Sequence, residues 1–197
     1  MRMLNPDGSE SGMCGNGLRC VVRYLQSDAD GPEFSIASGD RIVGATVLEN
    51  GDIRVDMGVY RLDDLSLTVD GLVGVNVWMG NPHFVVFIDD VEAVELETIG
   101  PRLESNAAFP DRTNVHFAEI QSRTAVKQRT WERGAGITLA CGSGACAGAV
   151  AAYRRNLTGP RVDMHVPGGL LRIEIDDADR VFMTGPAVKV FDGVWPG

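Results

Sequence analysis

The spacing of apolar residues along the chain predicts three helices. Apolar side chains recur at helical spacing over 15–26, directly after a glycine-rich turn. Small residues fill 142–155, and a segment of this kind suits a helix that other elements wrap closely. A third, amphipathic helix is predicted near 93–104.

Most of the remaining apolar residues form short runs separated by turn signals such as Asn50-Gly51, which is typical of strands. The predicted strands are 33–37, 41–48, 53–57, 66–69, 73–79, 84–88, 114–120, 125–131, 161–166, 170–175 and 181–184. Many strands with few helices indicate an α+β fold rather than alternating βαβ units.

Charge and composition narrow the class of protein. A formal net charge of −9 argues against a general nucleic-acid binder, because such proteins usually carry a basic surface. No apolar stretch is long enough to span a bilayer, and residues 1–10 lack the apolar core of a signal peptide. We therefore expect a cytoplasmic protein with neither nucleic acid nor membrane as a partner.

The four cysteines fall into two groups, Cys14 with Cys20 and Cys141 with Cys146. A disulfide framework is not expected in a cytosolic chain of this size. A zinc site is disfavoured because the chain has no C-x-x-C pair and its three histidines lie far apart in sequence. We therefore expect reduced thiols and no metal, although a free cysteine is often only a small buried hydrophobe.

A short repeat surrounds one cysteine of each group. The sequence Cys-Gly-Asn-Gly at 14–17 recurs as Cys-Gly-Ser-Gly at 141–144, and each copy directly precedes a predicted helix. Two copies in equivalent positions suggest duplicated halves, each of which presents a thiol at a helix N-terminus.

Such a turn can combine a reactive sulfur with an anion site. A free thiol has a pKa of about 8.5, and a helix N-terminus can lower it to about 3.5–7.5. The unpaired N–H groups of the same turn can bind a carboxylate. Two turns facing each other would hold an α-carbon between two sulfurs, as a cofactor-free racemase or epimerase requires. Two buried cysteines with glycines that serve only turn geometry remain an equal alternative on these residues alone.

The wider motifs resemble those of the diaminopimelate epimerase family over essentially the whole chain. They are Asn5-Pro6-Asp7-Gly8-Ser9 with Met13-Cys14-Gly15-Asn16-Gly17-Leu18-Arg19-Cys20, Gly80-Asn81-Pro82-His83, Phe109-Pro110, Thr113-Asn114-Val115, Glu132-Arg133-Gly134-Ala135-Gly136 with Thr138 and Cys141-Gly142-Ser143-Gly144, and Thr184-Gly185-Pro186-Ala187. Ile137 departs from the pattern, since an acidic residue usually precedes the threonine there.

This resemblance implies a fold of two similar domains, each a curved mixed or antiparallel sheet wrapped around a central helix. The first half would comprise 1–57 with 187–197, and the second half 58–186. The family carries a further segment before the first cysteine motif, so we expect the first domain of this chain to be incomplete.

The resemblance also implies the reaction and its residues. The reaction is the epimerisation of LL-diaminopimelate to the meso form in lysine and cell-wall precursor synthesis, without pyridoxal phosphate, metal or any other cofactor. Cys14 and Cys141 would be the acid/bases, with His83 assisting Cys14 and Glu132 assisting Cys141 as proton acceptors. The implied substrate-binding residues are Asn5, Gly15, Asn16, Asn81, Asn114, Glu132, Arg133, Gly142 and Ser143, and a homodimer is left open.

Three alternatives stay open. Proline or hydroxyproline racemases of the same broad fold resemble a Cys-Gly-His turn, whereas this chain has Cys14-Gly15-Asn16. The short N-terminal part also allows a truncated, inactive homologue that binds an amino acid without turning it over. A thiol redox protein that uses Cys14 and Cys141 is the third reading.

Overall fold

A computed structural model describes residues 1–2, 14–28, 31–39 and 41–194 of the chain. The α-helices in this part are α1 (Gly15–Leu25), α2 (Leu96–Glu104) and α3 (Gly142–Arg154). The strands are β1 (Glu33–Ser38), β2 (Arg41–Val47), β3 (Ile53–Val59), β4 (Arg61–Val69), β5 (Leu72–Trp78), β6 (Pro82–Phe87), β7 (Asn114–Ser122), β8 (Ala125–Glu132), β9 (Gly136–Thr138), β10 (Arg161–Val166), β11 (Gly169–Ile175) and β12 (Arg180–Gly185).

The strands form one hydrogen-bonded mixed sheet. Its order is β1-β2-β3-β12-β11-β10-β8-β7-β6-β5-β4, and β9 pairs with β8 beside this path. Two neighbouring pairs, β6 with β7 and β10 with β8, run parallel, and the others run antiparallel. The parallel pair β6–β7 places residues from distant parts of the sequence side by side, and this pairing carries much of the site described below.

Helix α3 lies at the centre of the larger core. Its residues from Gly142 to Ala152 are all buried, and it contacts β5, β6, β7, β8, β10, β11 and β12. The small side chains permit this enclosure, since a Cβ on Gly148 would lie 1.9 Å from Oε1 of Gln128. The small-residue pattern of the sequence is therefore confirmed as a closely wrapped helix.

Helix α1 packs on β2 and β3 and also touches α3. Leu18 is fully buried on its inner face. Two arginines one turn apart hold the chain that follows β12: Nε of Arg19 donates to the Pro186 carbonyl at 3.2 Å, and Nε of Arg23 donates to the Ala187 carbonyl at 2.8 Å. These bonds join the first helix to the segment that follows the last strand.

A second, smaller core lies under α2. Leu96 and Leu103 of α2 pack with Phe84, Val115 and other apolar residues of the neighbouring strands. Strands β6 and β7 are consequently buried on both faces over most of their length. This explains why their sequences are nearly continuous apolar runs rather than alternating ones.

The predicted α+β class, with many strands, few helices and a mixed sheet, is confirmed. The structure adds β9, which the sequence pattern did not predict, and begins β4 at Arg61 rather than at residue 66. The division into halves at 57/58 and 186/187 stays a prediction. None of the helices in the described ranges is long and apolar enough to cross a membrane.

Candidate active site

Each of the two repeated cysteines caps a helix. Cys14 precedes α1 with φ −139° and ψ 104°, and Cys141 precedes α3 with φ −105° and ψ 109°. This extended backbone is usual for an N-cap residue. The Cys14 sulfur accepts the Gly17 N–H at 3.2 Å, whereas the Cys141 side chain makes no capping hydrogen bond. The prediction of a thiol at each helix N-terminus is confirmed.

The two cysteine-capped helix ends meet. Nδ2 of Asn16, in the first turn of α1, donates to the carbonyl of Ala140 at 3.0 Å. Met183 fills the space behind both ends, because a Cβ on Gly15 would lie 2.4 Å from its methyl carbon and a Cβ on Gly142 would lie 3.2 Å from its sulfur. Residues that are far apart in the sequence thus form one site.

The surroundings of Cys141 keep its thiol protonated. The residue is 5% exposed, and burial is the largest cause that raises its pKa well above the ordinary value. The charge of Glu132, and the hydrogen bond of its carboxylate with the thiol, raise the pKa further. Ser143, whose hydroxyl lies 3.7 Å from the sulfur, and the N–H of Gly144 act in the opposite direction.

Glu132 therefore lies where the sequence analysis expects it, beside Cys141. Its carboxylate also accepts a hydrogen bond from the Thr138 hydroxyl on β9. The sequence pattern did not predict strand β9, which positions this threonine. The catalytic role of Glu132 stays a prediction.

All four cysteines are free. Cys20 is exposed on α1, and Cys14 is half-buried. Cys146 is fully buried on α3, and burial raises the pKa of its thiol to about 12. The two buried thiols therefore start protonated.

His83 forms a buried pair with a second histidine. Nδ1 of His83 lies 2.8 Å from Nε2 of His116, and Nε2 of His83 lies 2.8 Å from Oδ1 of Asn81. Both rings are fully buried, and burial is the largest cause that lowers the pKa of each. Both ring nitrogens of His83 are thus hydrogen-bonded to residues other than Cys14. The predicted assistance of His83 to Cys14 stays a prediction.

The other predicted polar residues lie near the ends of the same strands, just before β6, at the start of β7 or just after β8. The amide of Asn114 donates from Nδ2 to the Pro82 carbonyl at 2.8 Å and accepts at Oδ1 from the N–H of Arg133 at 3.0 Å. Asn114 thereby joins the first residue of β6 to the turn after β8. The exposed Arg133 guanidinium donates to the Asp111 carbonyl at 2.9 Å.

Glu104, which the sequence analysis did not single out, supports the turn that carries Glu132 and Arg133. Its buried carboxylate accepts from the Gly134 N–H at 2.8 Å and from Nε1 of Trp131 at 2.7 Å, and it forms an ion pair with Arg112. Its position at the end of an amphipathic helix gave no sequence signal, because such a glutamate usually faces solvent.

Most of the predicted site residues therefore lie around the meeting point of α1 and α3 or on the adjacent edge of β6–β8. Asn5 lies outside the described residues. Within the described ranges, no group of three or more histidine, cysteine, aspartate or glutamate side chains could hold a metal ion.

Comparison with known sequences gives consistent matches. A sequence model of the family described as diaminopimelate epimerase matches residues 75–190. The diaminopimelate epimerase of Pelotomaculum thermopropionicum is 41% identical over 224 residues, which covers 100% of this chain and 78% of that protein. That of Synechococcus elongatus is 44% identical over 214 residues, covering 98% of this chain and 76% of that protein.

Solved structures share the fold at lower identity. A crystal structure of a probable proline racemase from Agrobacterium radiobacter superposes with a TM-score of 0.69 at 16% identity. The match covers 99% of this chain and 72% of that chain. At this identity the likeness establishes the fold alone.

Proposed function

The chain belongs to the diaminopimelate epimerase family, and from this premise we propose that Cys14 and Cys141 are the two acid/bases of its reaction. The chain is an isomerase that converts LL-diaminopimelate to the meso form. The observation that best supports the residue assignment is the meeting of two cysteine-capped helix ends, joined by the hydrogen bond from Asn16 to Ala140.

The helix ends provide the carboxylate site. The first N–H groups of a helix have no partner within the helix, and the positive end of its dipole favours an anion. The backbone N–H groups of Gly15 and Asn16 on one side, and of Gly142 and Ser143 on the other, would bind the reacting carboxylate. Negative charge grows there as the α-proton leaves, and losing one such donor typically lowers the rate about 10²–10³-fold.

Proton transfer then needs one thiolate and one thiol. The thiolate takes the α-proton and becomes a thiol, and the carbanion takes a proton from the opposite thiol, which becomes the thiolate. Because burial and the charge of Glu132 raise the pKa of Cys141, the thiol of Cys141 is the proton donor when the reaction begins from this state. The reverse direction requires the opposite assignment, and Glu132 is the group beside Cys141 that can accept its proton. The two thiols thus behave as a coupled pair that shares one proton.

Polar groups on β6–β8 favour a substrate with a second polar end. We assign the far amino-acid group of diaminopimelate to Asn5, Asn81, Asn114 and Arg133. Proline has no second carboxylate or amino group, so it would form none of the hydrogen bonds that the far end of diaminopimelate would make with these groups. The fold is shared with a probable proline racemase, so the fold alone does not distinguish diaminopimelate from proline as the substrate. The polar groups favour diaminopimelate.

The remaining expectations follow from this reaction. The partner is a small-molecule amino acid. No cofactor or metal is needed, because both proton transfers use side chains of the chain. We also propose that the protein works in the cytoplasm, where a lysine precursor is made, and as a homodimer.

The test is deuterium exchange at the α-carbon. The protein is incubated with LL-diaminopimelate in D2O under reductant, proline runs in parallel, and NMR follows the α-proton. Replacing either Cys14 or Cys141 by serine should slow exchange about 10²–10⁴-fold, the usual contribution of an acid/base. Cys20→Ser, which changes the exposed thiol of α1, is the matched control and should retain the wild-type rate.

The possible results distinguish the epimerase from the alternative functions. Exchange from diaminopimelate alone, accompanied by meso product and lost in both serine variants, supports the proposal. Exchange from proline instead would replace the substrate assignment. Binding of diaminopimelate without any exchange would support the inactive homologue. Loss of exchange in the absence of reductant would identify oxidation of the thiols as a side reaction.

A further inference from the structure

One buried carboxylate, that of Glu104 at the end of α2, binds two loops of the site at once. The residue is 4% exposed, and three donors converge on its side chain. Oε1 accepts from the Gly134 N–H at 2.8 Å and forms the ion pair with Arg112, while Oε2 accepts from Nε1 of Trp131 at 2.7 Å. The donors come from the loop before β7, from the end of β8 and from the turn after β8.

The convergence of three donors requires a carboxylate at this position. An ionised carboxylate only accepts hydrogen bonds, and its two oxygens can satisfy several donors together. An amide would offer one oxygen, and its NH2 group would face another donor. A buried carboxylate is tolerated only when such partners compensate its charge. These contacts therefore need a glutamate rather than a glutamine.

The turn after β8 depends on this carboxylate because the turn has little packing of its own. Arg133, Gly134 and Ala135 are all exposed. Gly134 has a φ of 77°, in the left-handed region that favours glycine. Two backbone N–H groups of the turn donate to other segments: that of Gly134 to Glu104, and that of Arg133 to Oδ1 of Asn114 at 3.0 Å. The position of the turn is therefore set by hydrogen bonds rather than by apolar contacts.

The indole of Trp131 keeps the carboxylate in place. The ring packs so closely on α2 that a Cβ on Gly100 would lie 2.5 Å from its Cγ. A Cβ on Gly136, at the start of β9, would lie 3.6 Å from Cη2 of the same ring. Helix α2, the end of β8 and the start of β9 are thus packed together around Glu104.

Glu104 also holds the loop that leads into β7. Arg112, which has a φ of 58°, is joined to the carboxylate by the ion pair. The Thr113 N–H donates to the backbone carbonyl of Glu104 at 3.2 Å. The next residue is Asn114, which accepts the N–H of Arg133. Glu104 therefore contacts both of the segments that meet at this hydrogen bond.

Glu132 connects the turn to Cys141. It directly precedes the turn, and its carboxylate is hydrogen-bonded to the Cys141 thiol and to the Thr138 hydroxyl. A shift of the turn would therefore draw this carboxylate away from the sulfur. We propose that Glu104 is a positioning residue, which holds the turn after β8 so that Glu132 stays in contact with the Cys141 thiol. Its consequence for catalysis rests on the proposed function, whereas the contact itself can be tested without substrate.

The first test is the reactivity of the thiols. Glu104→Gln should release the turn, so that iodoacetamide at pH 8 modifies Cys141 about tenfold faster than in the wild-type protein, the effect of losing about one hydrogen bond to a charged group. Cys146, which is buried further along α3, should react at an unchanged rate. Mass spectrometry of the cysteine peptides gives both rates. An unchanged Cys141, or equal acceleration of Cys141 and Cys146 by a general loosening, would overturn the proposal.

A double variant tests whether Glu104 acts through Glu132. Glu132→Ala should accelerate the modification of Cys141 by itself. Adding Glu104→Gln should then change the rate by less than about twofold, because residues that act through one contact are not additive. Fully additive effects would mean that Glu104 reaches Cys141 by another route, and the proposal would fail.

Arg112→Asn is the matched control. Asparagine tolerates the left-handed backbone at this position, and the variant removes only a half-exposed ion-pair partner. The hydrogen bonds of Glu104 with Gly134 and Trp131 remain, so Cys141 should react within about twofold of the wild-type rate. Acceleration as large as that of Glu104→Gln would assign the effect to the ion pair instead of the turn.

Glu104→Asp serves if Glu104→Gln fails to fold. It keeps the charge but shortens the side chain by one methylene, so the carboxylate cannot reach Gly134 and Trp131 together. It should accelerate Cys141 in the same way, and a wild-type rate in this variant would contradict the positioning role.

Kinetics then test the consequence for the reaction. Glu104→Gln should lower kcat for diaminopimelate about 10–10²-fold, the usual cost of a misplaced catalytic group, while Arg112→Asn should stay within about threefold of the wild-type value. An unchanged kcat in Glu104→Gln would refute the contribution of Glu104 to catalysis. Absence of activity in the wild-type protein would refute the proposed function instead, and the labelling rates would still decide the role of Glu104.

Discussion

Cys14 and Cys141 follow the same short motif and cap their helices with the same extended backbone, but their surroundings differ. Cys14 is half-buried, and its sulfur accepts the Gly17 N–H. Cys141 is 5% exposed and lies between the Ser143 hydroxyl and the Glu132 carboxylate. The repeated motif therefore decides where a thiol lies, and the residues packed around it decide its protonation.

The supports behind the two turns differ as well. Gly15 of the first turn packs against the flexible ends of Met57 and Met183. Gly144 of the second turn packs against the ring of His116, which is held by hydrogen bonds on both sides. The first turn is therefore supported by adaptable apolar side chains, and the second, which shares Met183, has a rigid polar support in addition. Three experiments test this difference.

The largest expected difference is in thiol reactivity. At pH 8, iodoacetamide should modify Cys141 about 10²-fold more slowly than the exposed Cys20, because a buried thiol reacts only through local opening that costs about 3 kcal/mol. Cys14 should fall between them. Mass spectrometry of the four cysteine peptides over time gives all the rates in one experiment, with the fully buried Cys146 as the slow reference.

A denatured sample supplies the control, since all four thiols should then react at similar rates. If native Cys141 reacts as fast as Cys20, the second turn opens freely in solution. The two turns would then be equivalent in their access to solvent.

This contrast also marks the limit of what the sequence reveals. The motif at 14–17 and 141–144 predicts both helix starts, because capping depends on adjacent residues. The contact between His83 and His116 depends instead on the parallel pairing of β6 with β7, and the contacts of Glu104 depend on the packing of α2 against β8. Neither relation produces a recognisable pattern in the neighbouring sequence. Strand β9 was not predicted for a related reason, because a three-residue strand is too short to show alternation of apolar and polar residues.

A smaller difference is expected in tolerance to a methyl group. Gly144→Ala places a Cβ 2.2 Å from Cε1 of His116, which cannot move aside, and should lower the free energy of unfolding by about 2–3 kcal/mol. Gly15→Ala meets the terminal methyl of Met183 at 2.4 Å, which can rotate away. It should cost less than about 1 kcal/mol, partly because alanine favours a helix.

Urea unfolding of the two variants beside the wild-type protein measures both effects. Equal losses would show that the support of the first turn is as rigid as that of the second. A larger loss for Gly15→Ala would reverse the proposed order.

The third expected difference is a dependence on pH that belongs to the second turn. The folded pKa of His116 is about 3, against about 6.5 when unfolded, and that of His83 is also lowered. Above pH 6.5 both histidines are neutral in either state. Below it the unfolded chain binds more protons, so the free energy of unfolding falls as the pH is lowered toward the folded pKa values, by up to about 1.4 kcal/mol per pH unit for each histidine.

Urea unfolding between pH 4 and pH 7 measures this slope. His116→Gln removes one of the two buried histidines, so it should remove the contribution of one histidine to the slope of the free energy of unfolding against pH. Met57→Leu changes the packing behind the first turn without adding or removing a titrating group. It should therefore shift the free energy of unfolding by a similar amount at every pH. If His116→Gln leaves the slope unchanged, the buried pair does not titrate on unfolding, and the second turn would lack the polar support that distinguishes it from the first.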